Sequence, residues 1–150
     1  MTWSADPAFE AGSINVCDLG LCQVRLQDDA RFPWLILIPR VAGAVELVDL
    51  GRKDQGRLMG EIAQASEAVR ALGAHLGRPV EKLNVAAIGN VTAQLHVHVV
   101  GRRRDDGLWP DPVWGRGEAR RYGDRREELG QTVRDILLPL TPANAGAQMK

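Results

Sequence analysis

Apolar and polar side chains alternate along the first part of the chain in a way that predicts two strands. Between residues 19 and 26, Cys22, Val24 and Leu26 alternate with polar neighbours, which is the period of a half-buried strand. Residues 34–38 are apolar without a break and end at Pro39, which predicts a strand covered on both faces.

The apolar period becomes helical from about residue 52 to residue 76. Positions three and four apart gather into one stripe, formed by Leu58, Ile62, Ala65, Val69, Leu72 and Leu76. Gly77 and Pro79 then supply stop signals. We expect two further strands, at residues 82–88 and 94–100, separated by a turn at Gly89 and Asn90.

The last third of the chain combines an irregular segment with a final helix. Residues 105–123 are rich in Gly, Pro and Trp and predict a loop. Asp124 and Glu127 have the spacing of a helix cap, and an apolar face follows at Leu129, Val133, Ile136 and Leu140. The order of elements predicts one α+β domain over residues 1–150, with an antiparallel sheet, one long helix and a C-terminal helix.

The amino-acid composition argues against several classes of protein. The 150 residues carry 19 basic and 19 acidic side chains, so no global charge favours a nucleic-acid polymer or an anionic membrane as partner. Two cysteines are too few for a disulfide scaffold. Neither a secretory signal nor an apolar run of membrane-spanning length is apparent, which predicts a cytoplasmic protein.

The basic residues are mostly arginines, sixteen of nineteen, and three of them are consecutive at Arg102–Arg104. Guanidinium groups match phosphate oxygens, so this run could form a rim that faces a phosphate. It could equally be a solvated loop neutralised by Asp105 and Asp106. On the arginines alone we favour the solvated loop.

The strand at residues 94–100 holds two of the three histidines. Leu95, Val97 and Val99 would share its core face, and Gln94, His96 and His98 would share the other. Three interpretations compete: half-exposed sheet residues without a task, two ligands of a metal ion that lacks further ligands, or nucleophilic catalysis at phosphorus by a neutral imidazole.

The segment 94–100 resembles the motif of the histidine triad (HIT) family, with Gln94 in place of its first histidine. The resemblance extends over about residues 18–115. It includes the strand at 34–38 followed by Pro39 and Arg40, and the strand and turn from Leu83 to Asn90. A downstream loop with Trp109 and Trp114 is also similar to that of the family.

The resemblance implies a HIT-like fold, with residues 116–140 as a helical extension, and a homodimer. It also implies a nucleotide hydrolase or transferase, acting on a nucleoside phosphoramidate or dinucleoside polyphosphate. His96 would attack the α-phosphate and become nucleotidylated, and His98 would contact phosphate. No metal or cofactor is implied. The remaining candidates are Gln94 beside the catalytic histidines, and Asn90, Asn84 and Trp109 for substrate binding.

Two positions depart from the family pattern. Gln94 cannot titrate, and Trp34 stands where many members carry another histidine. We therefore expect reduced or altered activity, with a nucleotide-binding sensor as the alternative function. Trp34 could instead belong to the core, an interpretation that its apolar strand favours.

Overall fold

The computed structural model describes residues 2–140, which form an antiparallel five-stranded sheet with helices. The α+β prediction is confirmed. The helices and strands are α1 (Ala8–Gly12), β1 (Ser13–Asp18), β2 (Cys22–Gln27), β3 (Trp34–Pro39), α2 (Arg52–His75), β4 (Lys82–Ala86), β5 (Val97–Arg102) and α3 (Arg126–Leu137). Short 3₁₀ helices lie at Leu47–Asp49 and Gly123–Arg125.

The sheet has the strand order β1-β2-β3-β5-β4, and every neighbouring pair is antiparallel. At its centre, Ile36 of β3 lies opposite His98 of β5, and Leu35 lies opposite Val99. Directly paired residues point to the same face. The sheet therefore has a histidine face and a helix face.

The two longer helices cover the helix face. Leu95, Val97 and Val99 belong to the core on this side, as predicted, together with the apolar stripe of α2 and with Leu129 and Val133 of α3. Glu61 is a buried carboxylate in α2 that accepts hydrogen bonds of 2.8 Å from the backbone N–H groups of Leu21 and Cys22. It ties the helix to the β1–β2 turn.

The histidine face is covered by chain with little regular structure. Residues 2–12, which we call the N-terminal arm, pack on it together with part of the segment 105–123. Their apolar contacts form a second core with Phe32, Trp34, Ile36, Ile38 and Val100. This layer makes both faces of β3 buried, as its sequence predicts.

Several boundaries differ from the sequence predictions. Neither α1 nor β1 was expected, and the strand expected at 19–26 is β2, displaced toward Gln27. The cap predicted at Asp124 is wrong, because Asp124 lies in a 3₁₀ turn and α3 starts after Arg125 without a side-chain cap. Strand β5 begins at Val97, so Gln94 and His96 precede it.

Candidate active site

The start of β5 brings the two paired histidines together. Their ring centroids are 5.0 Å apart with the planes at 74°. His96 is 7% exposed and His98 is 9% exposed. The interpretation of these side chains as half-exposed sheet residues is therefore wrong, and their buried polar atoms need hydrogen-bond partners.

The hydrogen bond at His96 defines its tautomer. Its Nδ1 lies 2.7 Å from the backbone carbonyl oxygen of Gln94. A carbonyl oxygen only accepts, so Nδ1 carries the proton of the neutral ring and Nε2 keeps a lone pair. The Gln94 carbonyl immediately before β5 thus leaves the lone pair of His96 on Nε2.

The hydrogen bond at His98 gives the opposite tautomer. The indole Nε1–H of Trp34 donates to His98 Nδ1 at 3.0 Å, so the neutral ring carries its proton on Nε2. Burial lowers the pKa of His98 to about 4, and the neighbouring His96 lowers it as well. His98 is therefore a neutral hydrogen-bond donor at pH 7.

Trp34 is a core residue that also bonds one of the histidines. It is 5% exposed and belongs to the second core, in agreement with the core interpretation. Its indole N–H also holds His98, so one residue both packs the strand and orients an imidazole. The two histidines consequently offer one lone pair and one N–H, which is a suitable pair for a phosphorus centre and its oxygen.

The side-chain amide of Gln94 connects the histidine segment to the N-terminal arm. Its Oε1 accepts from the Asp6 backbone N–H at 2.7 Å, and its Nε2 donates to the Ser4 carbonyl at 2.9 Å. Phe9 then packs edge-on against the His96 ring, with centroids 4.9 Å apart. The arm covers His96, and the cavity of about 10 Å³ beside His96 is too small for a nucleotide.

Trp114 is the aromatic residue of the downstream segment that reaches the histidines. Its ring centroid lies 5.5 Å from that of His98 and 6.1 Å from that of Trp34. Its indole N–H is buried without a hydrogen-bond partner among residues 2–140. Trp109 lies instead beside Arg102 and Arg104, each guanidinium carbon 5.7 Å from its ring centroid.

The two asparagines proposed for substrate binding differ in position. Asn90 is exposed in the turn between β4 and β5, next to Gly89, which lies beside His96. Asn84 in β4 accepts a 3.0 Å hydrogen bond from Arg102 through its Oδ1. Asn84 is thus bonded to an arginine, whereas Asn90 is one residue from a glycine that lies beside His96.

The three consecutive arginines are all paired with carboxylates. Arg102 is 1% exposed and bonds Asp106 at 2.7 Å, so placing it in a solvated loop was wrong. Arg103 pairs with Asp105, as the sequence suggested, and Arg104 pairs with Glu81.

The arm contacts were missed because no sequence pattern marks them. Ser4 and Asp6 contribute only backbone groups to Gln94, and Phe9 is a single apolar residue without periodic neighbours. For the metal interpretation, no group of three or more His, Cys, Asp or Glu side chains is placed to hold an ion within residues 2–140. In the same residues, no helix is long and apolar enough to cross a membrane.

Comparison with known proteins assigns the chain to a family. A family model described as the HIT domain matches residues 8–105. The chain belongs to the HIT family. Members of this superfamily bind nucleotides and are commonly nucleotide hydrolases.

Solved HIT structures resemble this chain over nearly its whole length. It is 36% identical to a histidine triad protein from Bradyrhizobium japonicum, with a TM-score of 0.83, 91% of this chain covered and 99% of the other. A HIT protein from Sinorhizobium meliloti 1021 is also 36% identical, with a TM-score of 0.82 and coverage of 91% and 98%. One from Marinobacter aquaeolei VT8 is 33% identical, with a TM-score of 0.82 and coverage of 95% and 98%. No curated protein matches the chain.

Proposed function

We propose that this HIT protein is a nucleotide hydrolase or transferase that attacks the α-phosphate of a nucleoside phosphoramidate or dinucleoside polyphosphate through His96. The complementary tautomers of the histidine pair carry the proposal. The Gln94 carbonyl leaves a lone pair on His96 Nε2, and the Trp34 indole leaves a proton on His98 Nε2. One ring can attack phosphorus while the other donates to a phosphate oxygen.

The reaction proceeds in two displacements. His96 Nε2 forms a bond to the α-phosphorus, and the P–N or P–O bond to the leaving group breaks, with the electron pair and a solvent-derived proton going to that group. Water then attacks the nucleotidyl-His96, its oxygen bonds phosphorus, and the P–N bond to His96 breaks. A nucleoside monophosphate leaves, the water proton passes to solvent, and His96 returns to its neutral form.

His98 stabilises the charge that develops on the phosphate. Its low pKa keeps the ring neutral, so it contributes an N–H dipole rather than a full positive charge. The buried indole N–H of Trp114, which packs against His98, is a second donor available to a phosphate oxygen. Asn90 is exposed and follows Gly89, which lies beside His96, so it is the better placed of the two asparagines for substrate binding.

Gln94 distinguishes this chain from a complete triad. Its amide cannot supply a proton or a positive charge, and both of its polar atoms bond the N-terminal arm. Because Phe9 of the arm lies on His96, the arm must move before a nucleotide reaches the nucleophile. We expect slow turnover for these reasons.

The same observations favour the second candidate function, a nucleotide-binding sensor with little or no catalysis. In that case nucleotide binding displaces the N-terminal arm, and the displaced arm signals that nucleotide is bound. Both candidates need the histidine pair for binding, and they differ in whether a covalent adduct forms at His96.

The deciding experiment is mass spectrometry after incubation with adenosine phosphoramidate and a dinucleoside tetraphosphate. The proposal predicts a nucleotidyl adduct on the peptide that contains His96, and loss of product formation in His96→Ala. His75→Ala is the matched control, because His75 is exposed at the end of α2.

Circular dichroism checks that His96→Ala folds as the wild type does. His96→Asn is a second variant that removes the nucleophile. Measurable nucleotide affinity without adduct or turnover would establish the sensor instead. Turnover that persists in both His96 variants would refute the covalent mechanism.

A further inference from the structure

A second cavity lies apart from the histidines, and neither His96 nor His98 lines it. It has a volume of about 290 Å³ and lies beside Gly101 of β5 and Gly73 near the end of α2. A Cβ atom built on Gly101 would meet Pro33, Val69 and Val80 of the helix face. His98 is three residues earlier in the strand and therefore points to the other face. This cavity is separate from the candidate active site.

The cavity is lined by an excess of guanidinium groups. Six arginines contribute to its wall, whereas Asp106 is the only acidic residue in that wall. The arginines are Arg31, Arg78, Arg103, Arg120, Arg121 and Arg125. Asp106 is already bonded to Arg102. Four of the six arginines pair with carboxylates outside the wall: Arg31 with Asp29, Arg103 with Asp105, Arg121 with Asp28 and Arg125 with Glu128. Among the described residues, Arg78 and Arg120 remain without an ion-pair partner, and these two guanidinium groups allow the wall to attract an anion.

Two of the arginines are held in place before any ligand binds. Arg31 makes hydrogen bonds of 2.8–3.1 Å to the Asp29 carboxylate and donates to the Arg116 carbonyl. Arg103 is fixed by Asp105 and by the Pro79 carbonyl. Preorganised donors of this kind lose little conformational entropy on binding.

Two others carry charge that is available to a ligand. Within residues 2–140, the guanidinium of Arg78 makes neither an ion pair nor a hydrogen bond although it is half-buried, and that of Arg120 makes no ion pair. Gly77 has a φ of +74°, which ends α2, and the Arg78 N–H bonds the Gly73 carbonyl at 2.8 Å. This turn fixes the backbone of Arg78 at the wall of the cavity.

The rest of the wall is apolar and aromatic. Phe32, Pro33, Leu76 and Val80 line it with Tyr122, whose hydroxyl is buried and has no hydrogen-bond partner among the described residues. The volume lies near the lower end of the range for small-molecule pockets, about 300–1,000 Å³. A ligand that fits is small, with a flat apolar body and an anionic group.

We propose that this cavity is a second ligand site, which binds a phosphate monoester of a small aromatic or heteroaromatic compound. The phosphate bonds Arg78 and Arg120, whose forked donors match its oxygens, and the aromatic body packs against Phe32 and Pro33. Binding in this cavity does not require the histidine pair, so it can be tested independently of the proposed reaction.

The test is a titration of the ¹⁵N-labelled protein with phenyl phosphate, followed by NMR. Shifts are expected at the amides of Gly73, Arg78 and Gly101, and they should saturate at lower concentrations than with inorganic phosphate or phenol. Arg78→Ala should weaken binding about tenfold or more, the loss expected for one charge-assisted hydrogen bond. Arg120→Ala, an exposed position, should weaken it in the same way.

Arg70→Ala is the matched control, because Arg70 is an exposed arginine on α2 that pairs with Glu67. It should bind phenyl phosphate as the wild type does. Shifts confined to the amides of His96 and His98, or no saturable shifts, would overturn the proposal. Equal affinity of Arg78→Ala, Arg120→Ala and Arg70→Ala would also overturn it.

Discussion

The link between Gln94 and the N-terminal arm gives a quantitative prediction. The Gln94 side chain makes two hydrogen bonds, one to the Asp6 N–H and one to the Ser4 carbonyl. Gln94→Ala removes both and leaves the Gln94 backbone carbonyl, which holds His96, in place. The variant therefore loosens the arm without altering the tautomer of the nucleophile.

The expected magnitude follows from the number of bonds. A hydrogen bond between neutral groups contributes about 0.5–1.5 kcal/mol net, so the closed arm loses about 1–3 kcal/mol. That free energy corresponds to a rise of roughly 5–150-fold in the population of the open arm. The packing of Phe9 on His96 is unchanged and opposes complete release.

Amide hydrogen exchange at Asp6 measures this equilibrium directly, because its N–H is bonded to the Gln94 amide. We expect exchange at Asp6 to accelerate by the same 5–150-fold in Gln94→Ala. Gln131→Ala, which removes an exposed amide bonded to Asp135 on α3, should leave it unchanged. Equal protection of Asp6 in the wild type and in Gln94→Ala would refute the closing role of Gln94.

Three further predictions concern stability and assembly. His98 has a folded pKa of about 4 against an ordinary value of 6.5, so the unfolded chain takes up the proton first. The free energy of unfolding should therefore fall by about 3 kcal/mol as the pH drops from 6.5 to 4. Urea unfolding at several pH values measures this, and the pH dependence should be flatter in His98→Asn. Glu61→Gln leaves one of two backbone N–H groups without an acceptor, which should lower the free energy of unfolding in urea by about 1–3 kcal/mol. An equal loss in Glu127→Gln, which changes an exposed carboxylate on α3, would contradict this. Strand β4 forms a sheet edge with exposed Val85, through which two copies of the chain can pair. Light scattering should therefore give twice the 16.4 kDa chain mass for the wild type, and the monomer mass for Val85→Lys. A monomeric wild type would refute the dimer.

The elements with a clear hydrophobic period were predicted well from the sequence. The apolar stripe from Leu58 to Leu72 fits only the period of a helix, and α2 ends at His75, two residues before Gly77. The alternation of Leu95, Val97 and Val99 correctly assigned the helix face, since a strand has no other way to bury every second residue.

The covering of the histidine face could not be predicted in this way. It depends on single residues such as Phe9 and Trp114, which are far from β5 in the chain and follow no period. The same is true of the Gln94 bonds to backbone groups of the arm, because backbone atoms carry no sequence signature. The pattern therefore predicted that the histidines are neighbours but not that both are buried.

The distribution of tryptophans gives the protein an internal optical reporter. Trp3, Trp34 and Trp114 all belong to the second core on the histidine face, whereas Trp109 lies beside Arg102 and Arg104. Indole emission changes with the polarity of its surroundings, so movement of the arm should alter the fluorescence of three of the four tryptophans together. Site opening can thus be followed in real time without any added label.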